Sequence, residues 1–218
     1  MRIKTDSTLL FIGDSITDCG RARPVGTHKY GLGNGYVILV ESLFNVAYPE
    51  RSIRVLNTGI SGNTVLDLKA RWQEDVLEHD PDCLSIMIGI NDVWRQFDNP
   101  LEKQIHIDAD LYRTTYDTLI GQTDVDSLVI LSPYYLETNP DDPMRKMMDQ
   151  YGEIAAQIAE KHEGIFVDIQ AAFDRLMENI PSQMIAGDRV HPDTTGHMTI
   201  ASAFLNGIDF EWEKLQTQ

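Results

Sequence analysis

Residues 8–18 read Thr8-Leu9-Leu10-Phe11-Ile12-Gly13-Asp14-Ser15-Ile16-Thr17-Asp18. A large apolar run closed by a glycine and a cluster of short polar side chains predicts a buried strand that ends in a tight turn. Gly13 permits the turn, and Ser15, just past it, is presented at the rim of whatever sheet the strand joins. Alone, the hexapeptide from Gly13 to Asp18 reads first as a capped turn, because short polar side chains bind neighbouring backbone.

The same unit recurs outward along the chain. Short apolar runs at 53–56, 83–88, 127–131 and 165–169 follow the first at 8–12, each brief enough for a buried strand. Helical spacing fills the gaps at 36–48, 64–79, 108–121, 144–162, 171–179 and 195–205. Strand-helix alternation of this kind implies a parallel sheet covered on both faces. The expected fold class is therefore α/β: a doubly wound, flavodoxin-like, three-layer α/β/α arrangement with a central five-stranded parallel sheet in the order 2-1-3-4-5. No repeat, low-complexity tract or linker interrupts it, so residues 1–218 read as one domain. In such sheets ligands bind outside the carboxyl ends of the strands, and the irregular stretches 17–35, 91–105, 133–143 and 181–194 mostly follow strands.

Composition narrows the function classes. At 218 residues and 42% hydrophobic content the chain can bury a sizeable core. With 34 acidic against 18 basic side chains its net charge is −16, which argues against nucleic acid and an anionic membrane surface as partners. No run approaches the ~18 consecutive apolar residues of a membrane helix. The first apolar run is also far shorter than the apolar part of a signal peptide. With Cys19 and Cys83 as the only cysteines, the expectation is a cytoplasmic, reducing setting.

Three further blocks join the first. The second strand is followed by Asn57-Thr58-Gly59-Ile60-Ser61-Gly62-Asn63-Thr64, whose glycines let backbone approach a ligand; an N–H at Gly59 is expected to face Ser15. After the third strand comes Gly89-Ile90-Asn91-Asp92, where Asn91 offers an amide donor. Each is an ordinary turn when taken singly. In the order 2-1-3-4-5, however, Ser15, Gly59 and Asn91 emerge from three adjacent strands, and a hydroxyl flanked by two donors is the geometry of a nucleophile beside an oxyanion hole. Near the C-terminus, Asp188-Arg189-Val190-His191-Pro192 supplies a histidine and an acid three residues before it, the pair a serine base requires.

Together the four blocks resemble the signature of the GDSL, or SGNH, hydrolases, with Ile16 in place of the leucine of that name. The longer strings FIGDSITDCGRARP (11–24), GISGNTVLDLKARW (59–72), SIMIGINDVWRQ (85–96), DPMRKMMDQYG (142–152) and DRVHP (188–192) resemble the cytoplasmic acetylxylan-esterase-like branch of bacteria. The resemblance implies Ser15 as nucleophile, His191 as base and then acid, and Asp188 as the group that orients it. It also implies an oxyanion hole of the Ser15 and Gly59 N–H groups and the Asn91 side chain. The implied reaction is removal of acetyl groups from acetylated sugars, in particular xylo-oligosaccharides, through an acyl-enzyme, by a homo-oligomer. Neither route calls for a metal or cofactor. Trp94 is a candidate sugar platform, or equally a residue that closes a loop. Asp14 is a backbone-binding turn residue and a candidate on the substrate side, Asp18 is expected in solvent, and Trp72 belongs to the core. Two alternatives remain. One is a short-chain lipid or thioester hydrolase on the same fold, although the loops at 21–30 and 93–100 are polar, charged and aromatic rather than suited to an acyl chain. The other is a metal-dependent phosphoesterase with Asp14, Asp18, Asp188 and His191 as ligands.

Overall fold

The stretch that opens at Thr8 forms β1 (Thr8–Gly13), with Leu9 to Ile12 fully buried, as a strand between two helical layers must be. The structure is a computed structural model describing residues 1–98 and 106–215. After β1 come the single turn α1 (Ser15–Asp18), the two-residue β2 (Gly26–Thr27), α2 (Tyr36–Ala47), β3 (Arg54–Asn57) and α3 (Val65–Asp75). Then follow β4 (Cys83–Met87), the short α4 (Ile90–Trp94), α5 (Ala109–Gly121), β5 (Ser127–Leu131) and α6 (Pro143–Lys161). Last are β6 (Ile165–Val167), α7 (Ile169–Met177), α8 (Ser182–Ile185) and α9 (Thr194–Gly207).

The sheet order is β2-β3-β1-β4-β5-β6. Its parallel members, β3-β1-β4-β5-β6, reproduce the expected order. The expectation of five strands is corrected to six: β2 pairs antiparallel with the edge of β3, Gly26 opposite Asn57 and Thr27 opposite Leu56. Two residues are too few to display a period of two, and a glycine reads as loop. Gly26 is required by a close approach, since a Cβ there would lie 2.4 Å from the Gly31 carbonyl oxygen.

α2 packs on α9 and α9 on α7 in one layer; α3 packs on α5 and α5 on α6 in the other. Phe11 fastens the first layer to β1, edge-on to Tyr36 at 5.6 Å and 5.1 Å from Phe204. Trp72 is buried in the second layer, as its helical spacing predicts, with its indole N–H donating to Thr123 Oγ1 at 3.0 Å. Much of the negative charge is spent on helix starts. Asp108, Asp142, Asp168 and Asp193 cap α5, α6, α7 and α9, and Thr64 with Asp67 forms a capping box on α3. Anions at N-termini also suit the helix dipole. The cap at Asp168 explains why the strand expected at 165–169 stops at Val167. The irregular stretch expected at 91–105 opens with α4 instead, and its residues 99–105 lie outside the described residues. Cys19 and Cys83 are free thiols, and among the described residues no helix is long and apolar enough to cross a membrane.

Candidate active site

The site gathers at the carboxyl ends of β1, β3 and β4. Asp14 caps α1 by accepting the Ile16 N–H at 3.0 Å, which sets Ser15 as the first residue of that turn. Ser15 Oγ lies 2.8 Å from His191 Nε2, and His191 Nδ1 lies 2.6 Å from Asp188 Oδ2. The other oxygen of Asp188 accepts the Val190 and His191 N–H groups at 3.0 and 2.8 Å. Burial pulls the Asp188 carboxyl upward, but the His191 ring and these two N–H groups outweigh it and hold it below its ordinary value. A charged Asp188 keeps the ring proton on Nδ1 and leaves Nε2 free to accept from the serine. Their loop is pinned from outside: the Tyr134 hydroxyl donates to Val190 O at 2.9 Å, and the Leu136 N–H to Arg189 O at 3.0 Å. Arg189, in the left-handed region at φ 65°, lays its guanidinium over the Tyr135 ring and pairs with Glu137. The side chains of His191 and Asp188 are nonetheless 46% and 42% exposed. The Trp94 ring leans on His191 with centroids 5.8 Å apart.

On the donor side, the glycine turn corrects one expectation. The Gly59 N–H is taken by Asn57 Oδ1 at 2.9 Å. Gly59 serves a close approach, because a Cβ there would sit 2.5 Å from Asp18 N. The next N–H groups are also engaged: Ile60 on Gly13 O, Ser61 on Asp18 Oδ2, Asn63 on Ile60 O and Thr64 on Asp67 Oδ2. Among the described residues Gly62, at φ +81°, has the one N–H of this turn without a protein acceptor. The Ser15 N–H, first in α1, is likewise uncommitted. Asn91 Nδ2 donates one hydrogen to Asn63 O at 3.0 Å, beside Gly62, and keeps its second.

Two acids depart from their expected roles. Asp14 is 1% exposed, so of its two expected roles the backbone cap has the geometry and contact with substrate does not. Asp18 is buried rather than in solvent, where Oδ2 receives Arg23 at 2.6 Å and both donors of Ser61 at 2.9 Å. Burial raises its carboxyl, but Arg23 and Ser61 overcome this and hold it low. Asp92, beside Asn91, caps the start of α3 by accepting Val65 N–H at 3.0 Å. Burial pushes both Asp14 and Asp92 up to about 7. Of the four ligands of the phosphoesterase alternative, Asp14 and Asp18 are thus turned to separate partners and Asp188 to His191. Among the described residues no group of three His, Cys, Asp or Glu side chains is placed to hold a metal.

Arginines that sequence reasoning left without partners, or passed over, bind the turn's carbonyls: Arg21 reaches Gly59 O at 2.6 Å, Arg71 reaches Thr58 O at 2.6 Å, and Arg95 reaches Gly62 O. Arg71 left one signal, a charged residue lying beside the Leu68–Trp72 apolar stripe of α3.

A serine hydroxyl hydrogen-bonded to a histidine–carboxylate pair at the strand ends of an α/β/α scaffold is the arrangement of a serine hydrolase. The chain belongs to the GDSL-like Lipase/Acylhydrolase family, which matches residues 11–198. Over 215 residues it is 54% identical to an acetylxylan esterase of Geobacillus stearothermophilus, covering 97% of this chain and 98% of that one. The crystal structure of Axe2, an acetylxylan esterase from the same organism, superposes with a TM-score of 0.95 at 53% identity over 97% of this chain and 98% of that one. Structures of its catalytic mutants, in which a serine, an aspartate and a histidine are separately replaced by alanine, match equally well. LAE5, an α/β hydrolase from the metagenome of Lake Arreo, gives a TM-score of 0.93 at 44% identity over 96% of this chain and 98% of that one. The chain is thus a carboxylic ester hydrolase.

Proposed function

We propose that residues 1–218 act as one domain that deacetylates xylo-oligosaccharides through an acyl-enzyme on Ser15. The observation that carries this reading is the unbroken hydrogen-bonded series Ser15–His191–Asp188 facing three uncommitted donors. Ser15 Oγ attacks the acetyl carbonyl carbon while its proton passes to His191 Nε2. The tetrahedral oxyanion is held by the Ser15 N–H, the Gly62 N–H and Asn91 Nδ2. The bond to the sugar oxygen then breaks as His191 returns the proton to it. Water, deprotonated by His191, attacks the acetyl-serine, and acetate leaves with Ser15 regenerated. The triad is further supported by the catalytic serine, aspartate and histidine of the Geobacillus enzyme. Nearly half-exposed His191 and Asp188 suit a bulky leaving group that stays in solvent while the small acetyl is gripped. Trp94, leaning on His191, is the surface on which the leaving sugar rests. The same reading places the enzyme in the cytoplasm as a homo-oligomer, the latter checked by light scattering.

The test is acetate release across acetylated xylo-oligosaccharides, acetylated glucose and 4-nitrophenyl esters of increasing acyl length. The expected result is preference for acetyl on xylo-oligosaccharides. Faster turnover of long acyl chains overturns it.

A further inference from the structure

Arg71 stands beside the buried stripe of α3 with its side chain 12% exposed, and its guanidinium spreads over three acceptors, one at the end of β1 and one at each end of the glycine turn. Nη2 donates to Gly13 O at 3.1 Å, Nη1 to Thr58 O at 2.6 Å, and Nε to Asn63 Oδ1 at 2.7 Å. Asp75, one turn onward, meets Nη1 at 2.5 Å and fixes the fork from behind. Gly13 ends β1 two residues before Ser15. Thr58 opens the glycine turn, and Asn63 follows Gly62. The carbonyl of Asn63 in turn receives the Asn91 amide. Every oxyanion donor assigned above is therefore within two residues, or one hydrogen bond, of a residue that Arg71 grips.

We propose that Arg71 is a positioning residue that sets the mutual spacing of the Ser15 N–H, the Gly62 N–H and Asn91 Nδ2, and so governs transition-state stabilisation without touching substrate. The inference rests on the donor assignment under the proposed function. Oxyanion donors are effective because they stand in place before charge develops, and displacements of about 0.5 Å or 10–20° forfeit much of that advantage. Three acceptors, one on the end of β1 and two at opposite ends of the turn, need a rigid planar fork. A lysine ammonium, a single point on a flexible stem, keeps the charge but cannot hold all three in register.

A guanidinium that merely fastened α3 to the sheet would, once removed, lower the melting temperature and leave the folded enzyme's chemistry unchanged. Arg71→Lys and Arg71→Met are therefore assayed well below their own melting temperatures, beside Asn91→Ala. Expected for Arg71→Lys is a fall in kcat of roughly 10- to 100-fold with KM within about threefold of the parent, since a transition-state interaction is lost. The affinity for methylboronic acid, which forms a tetrahedral adduct on Ser15, falls by the same factor as kcat/KM, and the pH profile keeps its shape because Asp188 and His191 are untouched. The double variant Arg71→Lys/Asn91→Ala loses less than the product of the single losses, because both act on one hole. If Arg71→Lys keeps its kcat and boronate affinity while Asn91→Ala loses both, Arg71 is a staple only and the donor assignment stands. If Asn91→Ala keeps full activity, the donor assignment fails and the role of Arg71 fails with it.

Discussion

The glycine turn at 58–63 offers its carbonyls to three separate arginines, Arg71 at Thr58, Arg21 at Gly59 and Arg95 at Gly62. The loop from Asp188 to His191 is held by the Tyr134 hydroxyl, backbone contacts to Leu136 and Ala186, the Arg189–Glu137 pair and the Asp188 carboxylate, while the side chains of Asp188 and His191 stay nearly half-exposed. The two halves of the site have different tasks. In the proposed reaction the turn meets a negative charge that appears on one oxygen, and cations behind its carbonyls hold the peptide dipoles in a fixed orientation. In the same reaction the histidine exchanges a proton with serine, sugar oxygen and water in turn, which a half-exposed ring on a pinned loop allows.

Variants can strain that comparison in order of severity. Ser15→Ala removes the atom both halves serve: acetate release should fall by roughly 10⁶-fold with the fold retained by circular dichroism. Asp188→Asn attacks the loop half, and kcat should drop by up to ~10⁴-fold through loss of the ring tautomer, with the affinity for methylboronic acid less affected. Asn91→Ala attacks the turn half, costing roughly 10²- to 10³-fold in kcat, with boronate binding weakened in step. Equal boronate losses in both variants would erase the division of labour. Tyr134→Phe loosens only the pin on Val190 and should cost about 1 kcal/mol of stability by chemical denaturation, the worth of one buried hydrogen bond.

A last variant concerns His197 on α9, which joins the elements behind both halves. Its Nδ1 accepts the Tyr36 N–H at 3.2 Å, capping α2 in place of Gly35, and its Nε2 lies 3.4 Å from Cys19 Sγ. Burial lowers its pKa from 6.5 to about 4, against a weaker upward pull from Asp193. The unfolded chain therefore takes up this proton before the folded one does. Stability from the neutral ring is fully present above 6.5 and is lost as pH falls towards about 4. The melting-temperature difference between parent and His197→Gln should shrink through that window. Asp14 and Asp92, raised to about 7, act with the opposite sign, favouring the folded state on acidification, but they are common to both proteins and cancel in the difference. A difference that stays constant down to pH 4 would remove His197 from the acid response.

Legibility in the sequence divides along the same line. Ser15, Asn91 and the Asp188–His191 pair could be read because each stands at a strand end or within one short loop, where local spacing dictates geometry. The choice between Gly59 and Gly62 could not. Both lie in one GxxG string, and which N–H is left over depends on how Asn57, just before the turn, folds back on it and on Asp18, whose side chain reaches it from α1. Asp18 reads as solvated until Arg23 and Ser61 close over it.

By itself the sequence determined the parallel α/β order, the buried strands and the short blocks whose Ser15, Asp188 and His191 the fold brings together. Apolar periodicity and short-range spacing suffice for these, because a strand's burial and a three-residue acid-histidine loop are local properties. Tertiary structure alone decided the sixth strand, the burial of Asp14 and Asp18, the free N–H at Gly62 and the three guanidiniums on the turn. Each of these depends on which donors meet which acceptors across segments far apart in the chain, and every buried polar group must find its partner in the assembled fold rather than in its own neighbourhood.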